Sequence, residues 1–132
     1  MYATANLYDR YRNDAVNTAS PMDLIIMLYD GCIKQIHLAR LYEEDKNVAE
    51  RSNAIQKAQD ILDELMRSLD MGIPLSADLL KLYDFMSEEL YQANMKRDMA
   101  RMEPVEAMLT ELRDAWKEVK VTTGKMYVEE DE

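Results

Sequence analysis

The 132-residue sequence contains few of the residues that interrupt helices, and few that carry out chemistry. It has 3 glycines, 3 prolines, one cysteine and one histidine. Together with 48% apolar and 32% charged residues, this composition predicts a mostly helical chain. The single cysteine, Cys32, excludes a disulfide within the chain and favours a reducing compartment.

Long hydrophobic runs and an excess of positive charge are also absent from the sequence. No apolar run approaches the length that spans a bilayer, and the first residues lack the basic start and apolar core of a signal peptide. We therefore expect a cytoplasmic protein with no membrane insertion. The formal net charge of -10 argues against binding of nucleic acid, whose phosphates require a basic face. It favours partners that are neutral, apolar or basic.

The sequence does contain four segments in which apolar residues alternate at spacings of three and four, as in helices packed in a bundle. Ser20 as N-cap and Pro21 at the first helical position predict a first helix from Pro21 to about Glu44. Asn47 is the expected cap of the second helix. The predicted seams are Ile25, Tyr29, Cys32, Ile36, Ala39; Ile55, Ala58, Leu62, Leu65, Leu69; Leu79, Tyr83, Met86, Leu90, Ala93; and Met102, Val105, Leu109, Leu112, Trp116, Val119.

Glycine and proline predict where the later helices begin and end. Gly72, in Met71-Gly72-Ile73-Pro74, is expected to adopt the left-handed turn that ends the second helix, and Ser76 to start the third. The fourth helix has two possible starts. Either Asp98 caps it and Pro104 kinks it, or it begins at Glu103 with Pro104 in its first turn. Residues 121–132 lose the helical periodicity and Gly124 breaks the run, so we interpret them as a tail.

These segments predict an all-α fold, an antiparallel four-helix bundle with a short N-terminal arm and a C-terminal tail. The expected organisation is an arm over residues 1–17, the bundle over 18–120 and an acidic tail over 121–132.

The sequence lacks the residue patterns that catalysis or metal binding in a helical bundle requires. A di-metal bundle needs inward Glu-x-x-His pairs, but the residue three before His37 is Lys34. We predict no metal, no cofactor and no enzyme activity, and we interpret Cys32 as a small core residue. One alternative is a histidine phosphotransfer bundle that uses His37. Those domains share a His-x-x-Lys-Gly pattern, and here Leu41 stands in place of the glycine, so an ordinary surface histidine is favoured.

Apolar residues beside the seams are more numerous than a four-helix core requires. Methionines are spread over the second to fourth helices, and Leu82 and Phe85 lie beside the third seam. Flexible, methionine-rich surfaces suit the binding of apolar helices. The sequence therefore predicts a groove for a partner helix.

Several short motifs, in order, cover about residues 6–118. They are Tyr8-x-x-Tyr11, Thr18-Ala19-Ser20-Pro21, Met27-Leu28-Tyr29-Asp30-Gly31, Ala58-Gln59-Asp60-Ile61-Leu62, Leu65-Met66-x-Ser68-Leu69-Asp70 and Glu111-Leu112-Arg113-Asp114-Ala115-Trp116. With these motifs the chain resembles the FliS family of flagellin export chaperones.

The resemblance implies a cytoplasmic four-helix bundle that binds the C-terminal segment of flagellin, prevents its premature polymerisation and delivers it to the flagellar type III export gate. It also implies that Tyr8 and Tyr11 take part in flagellin binding. We expect a monomer or weak dimer, with other flagellar regulators as further partners. A structural helical adaptor for another secreted protein is a third interpretation. No motif maps the groove, which we expect to be formed by exposed apolar flanks: Ile61, Met66, Leu82, Phe85 and Met108.

Overall fold

Four α-helices make up nearly all of the part of the chain that can be described. The computed structural model describes the backbone of residues 21–131 and the side chains of residues 21–119. The helices are α1 (Pro21–Glu44), α2 (Val48–Arg67), α3 (Pro74–Lys96) and α4 (Met102–Asp131), and a 3-10 turn, Met99–Arg101, precedes α4.

The helices run alternately up and down. Both α1 and α3 pack against α2 and α4, so α1 and α3 lie on one diagonal of the bundle. Ion pairs join Arg40 to Glu106 and Asp30 to Arg113, so the α4 residue number rises as the α1 number falls. The prediction of an all-α antiparallel four-helix bundle is confirmed.

The predicted seams form most of the core. Every seam residue of α3 is buried, as are those of α1 from Tyr29 onward. Along α4, burial declines: Met102 and Leu109 are fully buried, Trp116 is half-buried and Val119 is 43% exposed. The core is therefore sealed at the end where α4 begins and open at the end where α1 begins.

A buried arginine closes the sealed end. Arg51 on α2 is 4% exposed, and its Nη1 donates to Glu43 Oε1 of α1 at 2.7 Å while its Nε donates to Asn94 Oδ1 of α3 at 3.2 Å. The hydrogen bond from Arg51 and the charge of Arg97 hold the pKa of Glu43 below its usual value. Removal of a charge from water is costly unless its hydrogen bonds are satisfied, so this network fixes three helices at once.

The loop between α2 and α3 differs from its prediction. Helix α2 ends at Arg67, capped by Ser68 in right-handed conformation, and the described glycines have no positive φ, so the left-handed turn at Gly72 was wrong. Instead the Gly72 N–H donates to Asp70 Oδ1 at 2.9 Å in a local turn, and a Cβ added at Gly72 would lie only 3.2 Å from that oxygen. The prediction that Ser76 starts α3 was also wrong, because α3 begins at Pro74. The Ser76 hydroxyl instead donates to the Asp70 carbonyl at 2.6 Å.

The other boundaries follow their local chemistry. Asn47 caps α2 as predicted, because its side chain accepts from the Glu50 N–H at 3.2 Å. Helix α4 has Pro104 in its first turn, which agrees with the second of the two predicted starts; Asp98 makes no side-chain cap. The predicted helix break at Gly124 was wrong, because the helix continues to Asp131. One glycine costs a helix only about 1 kcal/mol, too little to end it by itself.

The N-terminal arm over residues 1–17 and the Ser20 cap lie outside the described residues. The predicted bundle boundary at residue 120 stays a prediction.

Loss of Arg51 is expected to destabilise the protein far more than loss of a surface arginine. Arg51→Ala removes a buried side chain whose hydrogen bonds join Glu43 to Asn94, and should lower the free energy of unfolding by about 2–3 kcal/mol, although Arg97 and Ser52 still donate to these two half-buried residues. Arg67 pairs with Glu64 across one turn at the surface, so Arg67→Ala should cost less than about 0.5 kcal/mol. Urea unfolding followed by circular dichroism measures both, and equal losses would contradict this role of Arg51.

Candidate functional site

A large apolar cleft occupies the open end of the bundle. It has a volume of about 500 Å³ and lies between the start of α1, the end of α2, the α2–α3 loop, the start of α3 and one side chain of α4. Its lining is predominantly apolar, as is usual for binding sites. The lining residues are Pro21, Met22, Ile25, Leu65, Ser68, Leu69, Asp70, Ile73, Leu75, Ser76, Leu79, Tyr83 and Trp116.

The rim of this cleft exposes large apolar side chains. Met71 and Ile73 in the α2–α3 loop and Leu75 in the first turn of α3 are each more than half exposed to solvent. Single exposed apolar residues are ordinary, but several that continue an apolar cleft mark an interaction surface. The cleft and its rim form one continuous apolar region.

Two buried tyrosines support the floor of the cleft. Tyr83 of α3 lines the cleft, and its hydroxyl is hydrogen-bonded to that of Tyr29 of α1, with ring centroids 6.3 Å apart. Burial raises the pKa of both hydroxyls above the usual value, so both are neutral near pH 7. The neutral pair satisfies both buried hydroxyls by one hydrogen bond between them, so Tyr83 presents an apolar ring to the cleft.

A second apolar surface lies on α3 where it faces α4. Phe85 is 47% exposed and Leu82, three residues earlier, is half-buried against the core. Glu89 is one turn after Phe85. Its carboxylate accepts a hydrogen bond at 3.2 Å from Nη1 of Arg101, the residue just before α4. Residues four apart share a helix face, so Phe85 also lies on the side toward α4.

The facing side of α4 is also apolar. Glu106 and Arg113 pair with α1, and Met108 is two residues beyond Glu106, which places it on the opposite side of the helix. Met108 and Leu112 are half-buried. We call Leu82, Phe85, Met108 and Leu112 the α3–α4 strip.

Comparison with known proteins identifies the family. The sequence model of the family described as "Flagellar protein FliS" matches residues 4–123. The chain belongs to the FliS family.

Curated FliS relatives are similar over most of their length. The flagellar secretion chaperone FliS of Bacillus subtilis is 41% identical over 116 residues, which are 88% of this chain and 87% of the relative. That of Salmonella typhimurium is 39% identical over 108 residues, 80% of each chain, and that of Escherichia coli is 36% identical over 107 residues, 79% of each chain. FliS is a family of chaperones and not of enzymes, as the sequence analysis predicted.

The predicted groove residues differ in how far they are exposed to solvent. Ile61 was expected to be exposed, and this was wrong: it is 1% exposed and belongs to the core. The reason is that α2 is apolar toward α1 as well as toward the bundle axis. Cys32 of α1 donates to the Ala58 carbonyl at 3.6 Å, and Ile61 lies one turn beyond Ala58 on the same face.

The other predicted groove residues are accessible at least in part. Leu82, Phe85 and Met108 lie on the facing sides of α3 and α4 that form the α3–α4 strip, whereas Met66 is half-buried against the core on α2. Tyr8 and Tyr11 lie outside the described residues.

Sequence reasoning missed the rim of the cleft. Ile73 was interpreted only as part of a turn and Trp116 only as a seam residue, and Leu75 was not singled out. The available signal was the apolar run Met71-Gly72-Ile73-Pro74-Leu75, since a connection between surface helices is normally polar.

The residues considered for chemistry have no catalytic setting. Cys32 is fully buried, which raises the pKa of its thiol to about 12, so it remains a core residue and not a thiolate nucleophile. His37 is exposed on α1. Within residues 21–119 no cluster of His, Cys, Asp or Glu could hold a metal ion. None of the described helices is long and apolar enough to cross a bilayer.

Proposed function

We propose that this protein is a cytoplasmic export chaperone that binds the C-terminal segment of flagellin, prevents its premature polymerisation and delivers it to the flagellar type III secretion apparatus. Membership of the FliS family supports this proposal, as do the relatives named flagellar secretion chaperones. The flagellar export gate and other flagellar regulators are the further partners that it implies.

The observation that carries the proposal is the apolar surface that the bundle leaves uncovered. The cleft with its rim and the α3–α4 strip both expose side chains that an isolated bundle would be expected to bury. A flagellin terminus is an amphipathic segment that forms coiled-coil core in the filament. Before export it needs a temporary apolar partner, and these surfaces offer one without ATP or a cofactor.

Met66, Leu82, Phe85 and Met108 are the proposed contacts of flagellin. Phe85 is the anchor of this set, because a half-exposed aromatic side chain contributes a large apolar area when it is covered. Ile61, being fully buried, would support this surface only through the core.

The N-terminal tyrosines complete the proposed mechanism. Pro21, the first described residue, lines the cleft. We infer that the segment with Tyr8 and Tyr11 covers part of this surface in the free chaperone and is moved when flagellin docks. Such competition lowers the apparent affinity in proportion to the covered fraction, which eases release at the export gate.

Size-exclusion chromatography with flagellin tests the function. Full-length flagellin should elute with this protein as a complex, and flagellin that lacks its last helical segment should elute alone. Complex formation with the truncated flagellin at undiminished strength would contradict the proposal.

The tyrosine pair should influence flagellin binding directly. If both rings contact flagellin or its docking surface, Tyr8→Ala/Tyr11→Ala will change the dissociation constant of the flagellin C-terminal peptide, measured by titration calorimetry. A dissociation constant equal to that of the wild type would remove the pair from the mechanism.

Phe85→Glu should weaken flagellin binding by at least about tenfold, because a charge replaces the aromatic anchor in a surface that must lose its water. Leu41→Glu is the matched control: Leu41 is 42% exposed, but it lies at the sealed end of the bundle. Both variants should keep the wild-type melting temperature. Unchanged affinity in Phe85→Glu, or an equal loss in Leu41→Glu, would contradict the assignment of the strip.

A further inference from the structure

A methionine at the rim of the cleft gives this surface a reactivity that its other apolar residues lack. Of the methionines between residues 21 and 119, only Met71 and Met95 are exposed, at 57% and 64%. Met86 and Met102 are fully buried, and the others in this range are half-buried. Because oxidation of a side chain follows its access to solvent, a dilute oxidant should reach Met71 and Met95 first.

The two exposed methionines lie at opposite ends of the bundle. Met71 follows Asp70 and is two residues before Ile73, and both of these neighbours line the cleft. Met95 is in the last turn of α3, at the sealed end. One exposed thioether therefore stands beside the cleft, and the other stands on the same fold far from it.

The turn that carries Met71 is held by hydrogen bonds that do not involve its side chain. Asp70 accepts from the Gly72 N–H at 2.9 Å and from the Ile73 N–H at 3.0 Å. The Ser76 hydroxyl donates to the same Asp70 carbonyl at 2.6 Å. A change in the Met71 side chain should therefore alter the rim of the cleft without unfolding the loop.

We propose that Met71 is a redox-sensitive residue whose oxidation weakens the binding of flagellin at the rim. The oxidant is a hydroperoxide: its O–O bond breaks, one oxygen is transferred to the Met71 sulfur, and the other leaves as water or an alcohol. The sulfur is oxidised to the sulfoxide and the peroxide is reduced. A dithiol-dependent reductase reverses the step, with release of water and formation of a disulfide in the reductant.

The sulfoxide changes what the rim offers to a partner. It replaces a flexible apolar side chain by one with a polar acceptor, and covering that acceptor with an apolar helix costs free energy unless a donor is supplied. Ile73 and Leu75 beside it are not oxidised, so the rim keeps apolar surface and binding is weakened but not abolished. This inference rests on the proposed binding of flagellin to the cleft and its rim.

Mild peroxide treatment followed by peptide mass spectrometry tests the chemical step. Met71 and Met95 should be converted to the sulfoxide at least about tenfold faster than the buried Met86 and Met102. In the complex with the flagellin C-terminal segment, Met71 should react at least about tenfold more slowly than in the free chain, whereas Met95 should react at an unchanged rate. Conversion of Met71 as slow as that of Met86, or equal protection of Met71 and Met95, would overturn the proposal.

Titration calorimetry with the flagellin segment, added after the peroxide is removed, tests the consequence. The oxidised wild-type chain should bind at least about fivefold more weakly than the untreated chain. Met71→Leu keeps an apolar side chain of similar volume without the sulfur, so its affinity should survive the same treatment. Met95→Leu is the matched control and should lose affinity as the wild type does. Loss of affinity in treated Met71→Leu would assign the effect to another methionine and overturn the proposal.

The untreated wild type separates this inference from the chaperone function. Failure of the untreated chain to bind the flagellin segment would contradict the proposed function, and this inference with it. Equal binding before and after conversion of Met71 would overturn this inference alone. Methionine sulfoxide reductase with dithiothreitol should restore the untreated affinity, and a loss that it does not reverse would show damage to the fold in place of a change at the rim.

Discussion

The hydrogen bond between the hydroxyls of Tyr29 and Tyr83 is the constraint on which the two ends of the bundle depend. It joins α1 to α3 across the diagonal, where the helices do not pack side by side. Toward one end, the core is closed by side chains and by the network of Arg51. Toward the other, Tyr83 becomes the floor of the cleft. The pair therefore lets the core end in an apolar surface without leaving a buried hydroxyl unsatisfied.

This arrangement separates stability from binding. The buried seams and the Arg51 network fix the positions of the helices, so the open end and the α3–α4 strip are free to carry exposed apolar side chains such as Ile73 and Phe85. A binding surface of that kind would be an aggregation hazard unless a partner covered it. The opposite α1–α2 edge is different in character, with lysines around a small recess. One bundle thus presents two chemically distinct faces.

The fold was predictable because its determinants are local and periodic. Alternating spacings of three and four located the four seams, and Asn47 was recognisable because its cap bond reaches only to Glu50. The Asp70–Ser76 hydrogen bond that shapes the α2–α3 loop joins residues six apart and leaves no periodic signal, so the turn at Gly72 was misread. The prediction that Ile61 is exposed failed for a related reason, since the width of the buried stripe on a helix depends on which neighbouring helices pack against it. The cleft could not be predicted from the sequence. The apolar spacing along α4 is the same around Leu109, which is buried, as around Trp116, which is only half-buried.

The heat capacity change on binding tests most directly whether flagellin covers the apolar surface that the bundle leaves open. Titration calorimetry of the flagellin C-terminal segment at several temperatures measures it, because burial of apolar area gives a negative value. The account predicts a clearly negative change in the wild type that becomes smaller when Ile73 at the rim is replaced by glutamate. Tight binding with a heat capacity change near zero would contradict it.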